Sequence, residues 1–299
     1  MTRPRATFDR LSMSLRPRSG HATLFASDVP PAIGPFVRVR HRHTPATTYR
    51  FRDAYRRRPA GPLVDLAYWP VSDSTRPALP PVILTVRATM GHVMTPAHVA
   101  EAVDAVEHRF GMRHLVSQVE LAVDWPGCDA ETGALAKHLY VPRSRSGYVR
   151  RNEHGAVVYV VRGSRRSAVT VKVYAKAEDG KNAARLEVTF RRAALRRLRV
   201  RRVADLYAVD WPLHVTCRAR VVASTYQLGR RIPANLLIHE LLQRLCPADR
   251  RRVRAGFRDI PHLTEAVRRA VTDFQASWGP LHATPPATPA ARDHHRTPR

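Results

Sequence analysis

The chain is 299 residues long and 44% hydrophobic, enough for a substantial core in one large domain or two modest ones. Its 51 Lys and Arg against 24 Asp and Glu leave a net charge of +27, an excess that calls for a polyanionic partner, nucleic acid first. Three scattered cysteines, Cys128, Cys217 and Cys246, form no CxxC pair, which excludes a zinc ribbon and speaks against a disulfide framework.

No run approaches the roughly 18 apolar residues of a membrane span, and "ATLFASDVPPAIGPF" is too short and Pro-broken for a signal segment. The expectation is a soluble cytoplasmic protein with no membrane partner. No GxxxxGK[ST] loop occurs, so the chain carries no motor of its own.

In chain order, residues 1–30 mix Arg, Ser and Pro without periodicity and read as a flexible basic arm. "PFVRVRHRHT", "TYRFRDAY", "GPLVDLAYW" and "PPVILTVRATM" read as strands. His41 and His43 lack the apolar setting of a metal-binding strand and read as solvated. Thr95 as N-cap, Pro96 at the first helical position and Gly111 as the stop frame a helix over "PAHVAEAVDAVEHRF". "LVSQVELAVDW" is a strand, "AETGALAKHLY" a short helix, and "GYVRRNEHGAVVYVVRG" a hairpin turning at Asn152–Gly155. Strands over 168–177 and 184–191 follow, joined closely enough to be antiparallel neighbours.

From Arg191 the pattern turns helical, with Arg191, Arg192, Arg196, Arg197, Arg199, Arg201 and Arg202 close together and few acids among them. Such a run points at phosphates. The expected division is an arm over 1–30, a catalytic domain over 31–202, a helical DNA-binding region over 203–280 and a disordered tail over 281–299. The fold class expected is α+β: a largely antiparallel sheet with helices on one face, an open ionisable face, and a helical C-terminal region.

The ionisable face carries the chemistry. In "VELAVDW", Glu120, Ala122 and Asp124 share one side; in "RLEVTFR", Arg185, Glu187, Thr189 and Arg191 do; in "VTVKVYAK", Thr170, Lys172, Tyr174 and Lys176 do. A tyrosine that attacks a phosphodiester needs its phenolate, and neighbouring cations such as Lys172 and Lys176 favour that form. A leaving oxygen is best stabilised by a hard divalent ion, Mg²⁺ or Mn²⁺, held by carboxylates. Glu187, Glu120 and Asp124 are the available ligands. Glu120 and Asp124 lie roughly 13 Å apart along a strand, so Glu187 with one of that pair is the expected metal set. Tyr159, on the neighbouring strand, is the rival nucleophile.

In this order the segments "VELAVDW", "YVVRGSRRS", "VKVYAK" and "RLEV" resemble the signature of the Rep_trans group of rolling-circle plasmid replication initiators and related mobile-element relaxases. Ala175 stands where that family has Asp or Asn, and one extra residue separates Tyr159 from Gly163. The resemblance implies that Tyr174 is the nicking nucleophile, that Lys176, Arg185 and Glu187 surround it, and that the acidic strand helps bind metal. The activity implied is site-specific DNA nicking and joining at an origin of replication or transfer, with a host helicase and polymerase as partners and a homodimer as a possible assembly.

Ser164, Arg165, Arg166 and Ser167 of "GSRRS" read as a phosphate-contacting turn. Arg191, Arg192, Arg196 and Arg197, and beyond them Arg230, Arg231, Arg250, Arg251, Arg252 and Arg254, read as duplex contacts. Two alternatives stay open: a non-catalytic DNA-binding repressor on the same fold, and a sheet-based RNA-binding module, which would need exposed aromatics on the sheet face.

Overall fold

A computed structural model describes residues 3–17, 32–43, 49–57, 61–70, 80, 82–88, 93–128, 132–142, 146–155, 157–164, 166–178, 181–224 and 237–278. Its first element corrects the sequence reading. The segment expected as a loose arm contains strand β1 (Arg5–Pro17), which lies inside the main sheet. The physical reason is a bulge. Ala6 and Phe8 are buried on one parity, Leu11, Met13 and Leu15 on the other. Pairing with the neighbouring strand shifts register between Phe8 and Arg10. One extra residue flips the phase, so no single period of two spans the strand.

The remaining elements follow as β2 (Ala32–Ile33), β3 (Phe36–His43), β4 (Tyr49–Arg57), β5 (Leu63–Pro70), β6 (Val82–Arg87), α1 (Pro96–Phe110) and β7 (Met112–Pro126). Then come α2 (Thr132–His138), β8 (Leu139–Tyr140), β9 (Gly147–Arg151), β10 (Val157–Arg162), β11 (Val169–Glu178), β12 (Lys181–Arg191) and α3 (Arg192–Arg197). The chain continues through a 3-10 turn (Val203–Ala208), α4 (Trp211–Arg218), β13 (Arg220–Ser224), α5 (Ile238–Arg244), α6 (Pro247–Ala255), β14 (Phe257–Asp259) and α7 (Pro261–Ala276).

The architecture is α+β. Eleven strands form one antiparallel sheet in the order β2-β3-β4-β5-β6-β1-β7-β12-β11-β10-β9, and β14-β13-β8 form a small second one. Most neighbouring strands are also consecutive in the chain, as in an antiparallel meander. Helix α1 starts and ends where its caps place it: the Thr95 amide donates to His98 Nδ1 at 3.3 Å, and Gly111 takes a left-handed φ of 59°.

The apolar face of the sheet is buried under helices. Val119, Leu121, Val123 and Trp125 of β7, Leu186, Val188 and Phe190 of β12, and Val171 and Val173 of β11 are all in one core cluster. That cluster also holds Leu206, Trp211, Val215, Leu263, Val267, Phe274 and Trp278. Phe8 of β1 meets Trp211 edge-on at 5.7 Å and Phe274 at 5.2 Å, and Phe190 meets Trp211 at 5.4 Å. The C-terminal helices α4 and α7 therefore share the sheet's core. A second, smaller cluster gathers Val222, Ile238, Leu241, Leu242, Val253 and Phe257 around α5 and α6.

The arginine-rich stretch forms only six residues of helix as α3, after which Arg199 reverses the chain at a φ of 60°. Residues 279–299, Arg165, Arg230 and Arg231 lie outside the described residues. Among those described, no helix is long and apolar enough to cross a membrane.

Candidate active site on the open sheet face

Register brings four adjacent strands, β1, β7, β12 and β11, into three rows on the face away from the helices. One row runs Thr170, Thr189, Glu120, Arg10; the next Lys172, Glu187, Ala122, Thr7; the third Tyr174, Arg185, Asp124, Arg5. In the middle row the small Ala122 and Thr7 stand beside Glu187, and Glu120 stands in the row next to it. Asp9, from the bulge in β1, joins them. Asp9, Glu120 and Glu187 each offer a carboxylate oxygen, and these atoms lie within 4.8 Å of one another.

Sequence reasoning missed Asp9, because the bulge that aims it at the site is the same feature that hid the strand. It had also offered Asp124 as a ligand, and here the structure differs. Both oxygens of Asp124 accept from Arg185, at 2.6 Å from Nε and 2.6 Å from the terminal nitrogen. This fork-to-fork pair occupies the carboxylate. The third Arg185 nitrogen donates to Asp9. Burial alone would lower the Arg185 guanidinium, and its partners Asp124 and Asp9 more than reverse that, so its pKa is raised. Arg185 is 3% exposed and fixed in orientation.

The acidic trio fits a hard cation. Glu120 and Glu187 are 4% and 2% exposed, so two like charges lie close together out of water. Burial, and then the charge of Glu187, push the Glu120 carboxyl up. The Gln118 amide donates to Glu120 at 2.7 Å, Thr189 donates weakly toward both acids, and the Lys172 ammonium pairs with Glu187. The all-oxygen donor set is the kind that Mg²⁺ or Mn²⁺ takes.

Tyr174 stands directly over this cluster. Its hydroxyl donates to Glu187 Oε2 at 3.0 Å. The two lysines were expected to favour the phenolate, and the structure reverses that expectation. Burial first, and then Glu187's charge, drive the Tyr174 phenol well above its ordinary range, while the Arg185 guanidinium beside it pulls the other way. Lys172 instead neutralises Glu187. Tyr174 is thus a protonated phenol whose proton already points at a carboxylate. Lys176 lies one pleat further along β11, opposite Ala183, on the same face. Tyr159 pairs across strands with Tyr174, and its ring lies 5.6 Å away. Burial, and then the Tyr148 hydroxyl, push Tyr159 up to about 12. The hydrogen bond to Glu187 belongs to Tyr174 and not to Tyr159. Ala175, on the opposite side of β11, is exposed.

The "GSRRS" turn links β10 to β11. Gly163 there has a φ of 93°, and an added Cβ would meet the Val169 carbonyl oxygen at 2.7 Å, so only glycine fits. The turn closes on itself: the Ser164 amide donates to Ser167 Oγ at 2.8 Å, and the Arg166 amide to Ser164 Oγ at 3.2 Å. Those two amides are satisfied internally; the Arg166 side chain is exposed. Arg191 braces the turn, donating to the Ser167 carbonyl at 3.0 Å and to Thr170 Oγ1.

Arg192, Arg196 and Arg197 are exposed on α3, a helix whose Ala194 and Leu195 are buried in the core under the other face of the sheet. The structure does not bring them beside Tyr174. Arg251, Arg252 and Arg254 are exposed on α6, whereas Arg250 is half-buried and donates to the Leu245 carbonyl at 3.0 Å.

No protein-family model and no curated protein matches the sequence. Among solved structures, the chain is similar to a rolling circle replication initiator protein from Geobacillus stearothermophilus. The two are 11% identical with a TM-score of 0.39, over 76% of this chain and 89% of that one. At that score the folds are only distantly alike.

Proposed function

We propose that this chain is a site-specific DNA nicking and joining enzyme that starts rolling-circle replication or conjugative transfer, with Tyr174 as its nucleophile. The observation that carries the reading is the Tyr174 hydroxyl donating to Glu187 within a trio of carboxylates, two of them buried, flanked by a fixed arginine. A plain solvated sheet face has no reason to gather three acids beside a phenol and bury two of them.

In the reaction, the Tyr174 oxygen attacks the phosphorus of one DNA strand while its proton passes to Glu187. A bond forms between the phenolic oxygen and phosphorus, and the bond to the 3′ oxygen breaks. That oxygen takes a proton from water and becomes a free 3′ hydroxyl, while the 5′ phosphate stays on Tyr174. Glu187 lies within hydrogen-bond reach of the proton it must accept. Arg185, held by Asp124 and Asp9, presents its charge where the phosphorane develops. Asp9, Glu120 and Glu187 would hold a divalent ion, which when bound offsets charge on the oxygens of the reacting phosphate. A free 3′ hydroxyl is what a polymerase extends, and unwinding would fall to a separate helicase.

The non-catalytic DNA-binding alternative predicts no adduct and no nicking. The test is a supercoiled plasmid carrying the DNA that flanks this gene, incubated with the protein and Mg²⁺. The expected result is open circle with wild type and none with Tyr174→Phe, while both bind the DNA within a few-fold. Equal nicking by the Phe variant would move the nucleophile to Tyr159.

A further inference from the structure

Tyr148 of β9 lies on the edge strand of the large sheet and is 59% exposed. One exposed tyrosine at an edge carries no message. This one is the first of three. Its ring lies 5.6 Å from that of Tyr159 on β10, which lies 5.6 Å from that of Tyr174 on β11. Arg150, directly opposite Tyr159, holds its guanidinium carbon 5.9 Å from the Tyr159 ring centroid. The row passes from an open edge to the half-buried hydroxyl that donates to Glu187.

Cross-strand aromatic pairs stabilise a sheet, and part of this row does that. Packing alone gives no reason for the row to run outward into solvent with an arginine stacked on it. We propose that Tyr148, Tyr159 and Arg150 form a platform for the unpaired bases of a single DNA strand, which crosses β9 and β10 and brings the phosphate to be cut to Tyr174. The assignment rests on the nicking reading above. Bases inside a duplex have both faces covered by their neighbours, so only unpaired bases can lay a face on these rings. Base faces stack on aromatic rings whatever their sequence, and an arginine beside them adds both cation–π contact and a partner for phosphate. The chain's charge of +27 draws the strand in. DNA is chosen over RNA because the row ends at the proposed nicking tyrosine.

Binding of a fluorescein-labelled oligo-dT, followed by anisotropy in EDTA so that nothing is cut, tests this with the full chain. Tyr148→Ala should weaken binding by roughly tenfold, and Tyr148→Phe, which keeps the stacking face, by no more than about twofold. Tyr148 is exposed on an edge strand, so neither change threatens the fold. Equal oligo-dT binding by wild type and Tyr148→Ala overturns the platform and leaves the nicking reading untouched. Loss of oligo-dT binding in Tyr148→Ala supports the platform even where wild type gives no plasmid nicking, and the nicking reading then fails alone. Tighter binding of oligo-U than of oligo-dT, with the same dependence on Tyr148, overturns the assignment to DNA in favour of RNA.

Discussion

Tyr174 and Asp9 mark how far residue-level reading of the sequence reaches. Tyr174, Lys172, Arg185, Glu187 and Glu120 share a face by parity alone, and register in the structure places them side by side. Which acid takes which partner depends on the register between strands, which parity does not give, and that register sets Asp124 directly opposite Arg185. Asp9 lay beyond any local period. Asp9→Asn should abolish metal-dependent nicking, cutting the rate by 100-fold or more if the trio holds the ion, as loss of a catalytic metal position does on the scale of electrostatic transition-state terms. Binding of oligo-dT in EDTA should be unchanged. Full activity in Asp9→Asn would leave Glu120 and Glu187 as the whole site. A separate residue governs acid stability. Burial first, and then the charges of Arg162 and Arg254, depress His239 to about 3, while its Nε2 accepts the Val141 amide at 3.2 Å. The unfolded chain takes up that proton near pH 6.5, so the stability His239 contributes is complete above ~6.5 and falls as pH drops toward ~3, by about 1 kcal/mol per unit. Melting curves between pH ~7 and ~4.5 should show wild type losing more stability than His239→Gln. Parallel curves would mean that His239 titrates normally.

At the scale of elements, the strands and long helices were legible because their signals are local. Thr95, Pro96 and Gly111 frame α1 within the segment that carries them, and the β9–β10 hairpin follows from its turn residues. Strand β1 was not legible, since a bulge at Asp9 cancels its period over thirteen residues. Helix α6 places Arg251, Arg252 and Arg254 in solvent, and Arg252 also lies 3.6 Å from Asp249. Exposed pairs of that kind contribute little, so these arginines are available to phosphates. Replacing all three with Glu should weaken duplex binding and flatten its salt dependence by up to ~0.9 in slope per lost contact. Cleavage of a single-stranded oligonucleotide spanning the nick should persist. If cleavage falls as far as duplex binding, α6 is not a separate anchor.

At the scale of the whole molecule, a change of pattern at Val203 suggested a boundary that the packing does not respect. Trp211, Phe274 and Trp278 close the core around Phe8 and Phe190, so α4, α7 and the residues just after α7 complete the fold of the sheet. Sequence periodicity shows that a helix has an apolar face, but not which sheet that face meets. A fragment ending at residue 202 should therefore fail to give a cooperative melting transition, because it exposes that aromatic cluster to water. A sharp transition in the fragment would restore the boundary. The shared core also holds β1, β7, β12 and β11 in register, and on that register the placement of Tyr174 against Glu187 depends. The most direct test of the account is to trap the protein on origin DNA with Mg²⁺, digest it with trypsin and nuclease, and locate the covalent nucleotide by mass spectrometry. The expected result is a nucleotide linked through phosphate to Tyr174, in the peptide that runs from Val173 to Lys176. A nucleotide on Tyr159, or nicked DNA with no protein attached, would contradict it.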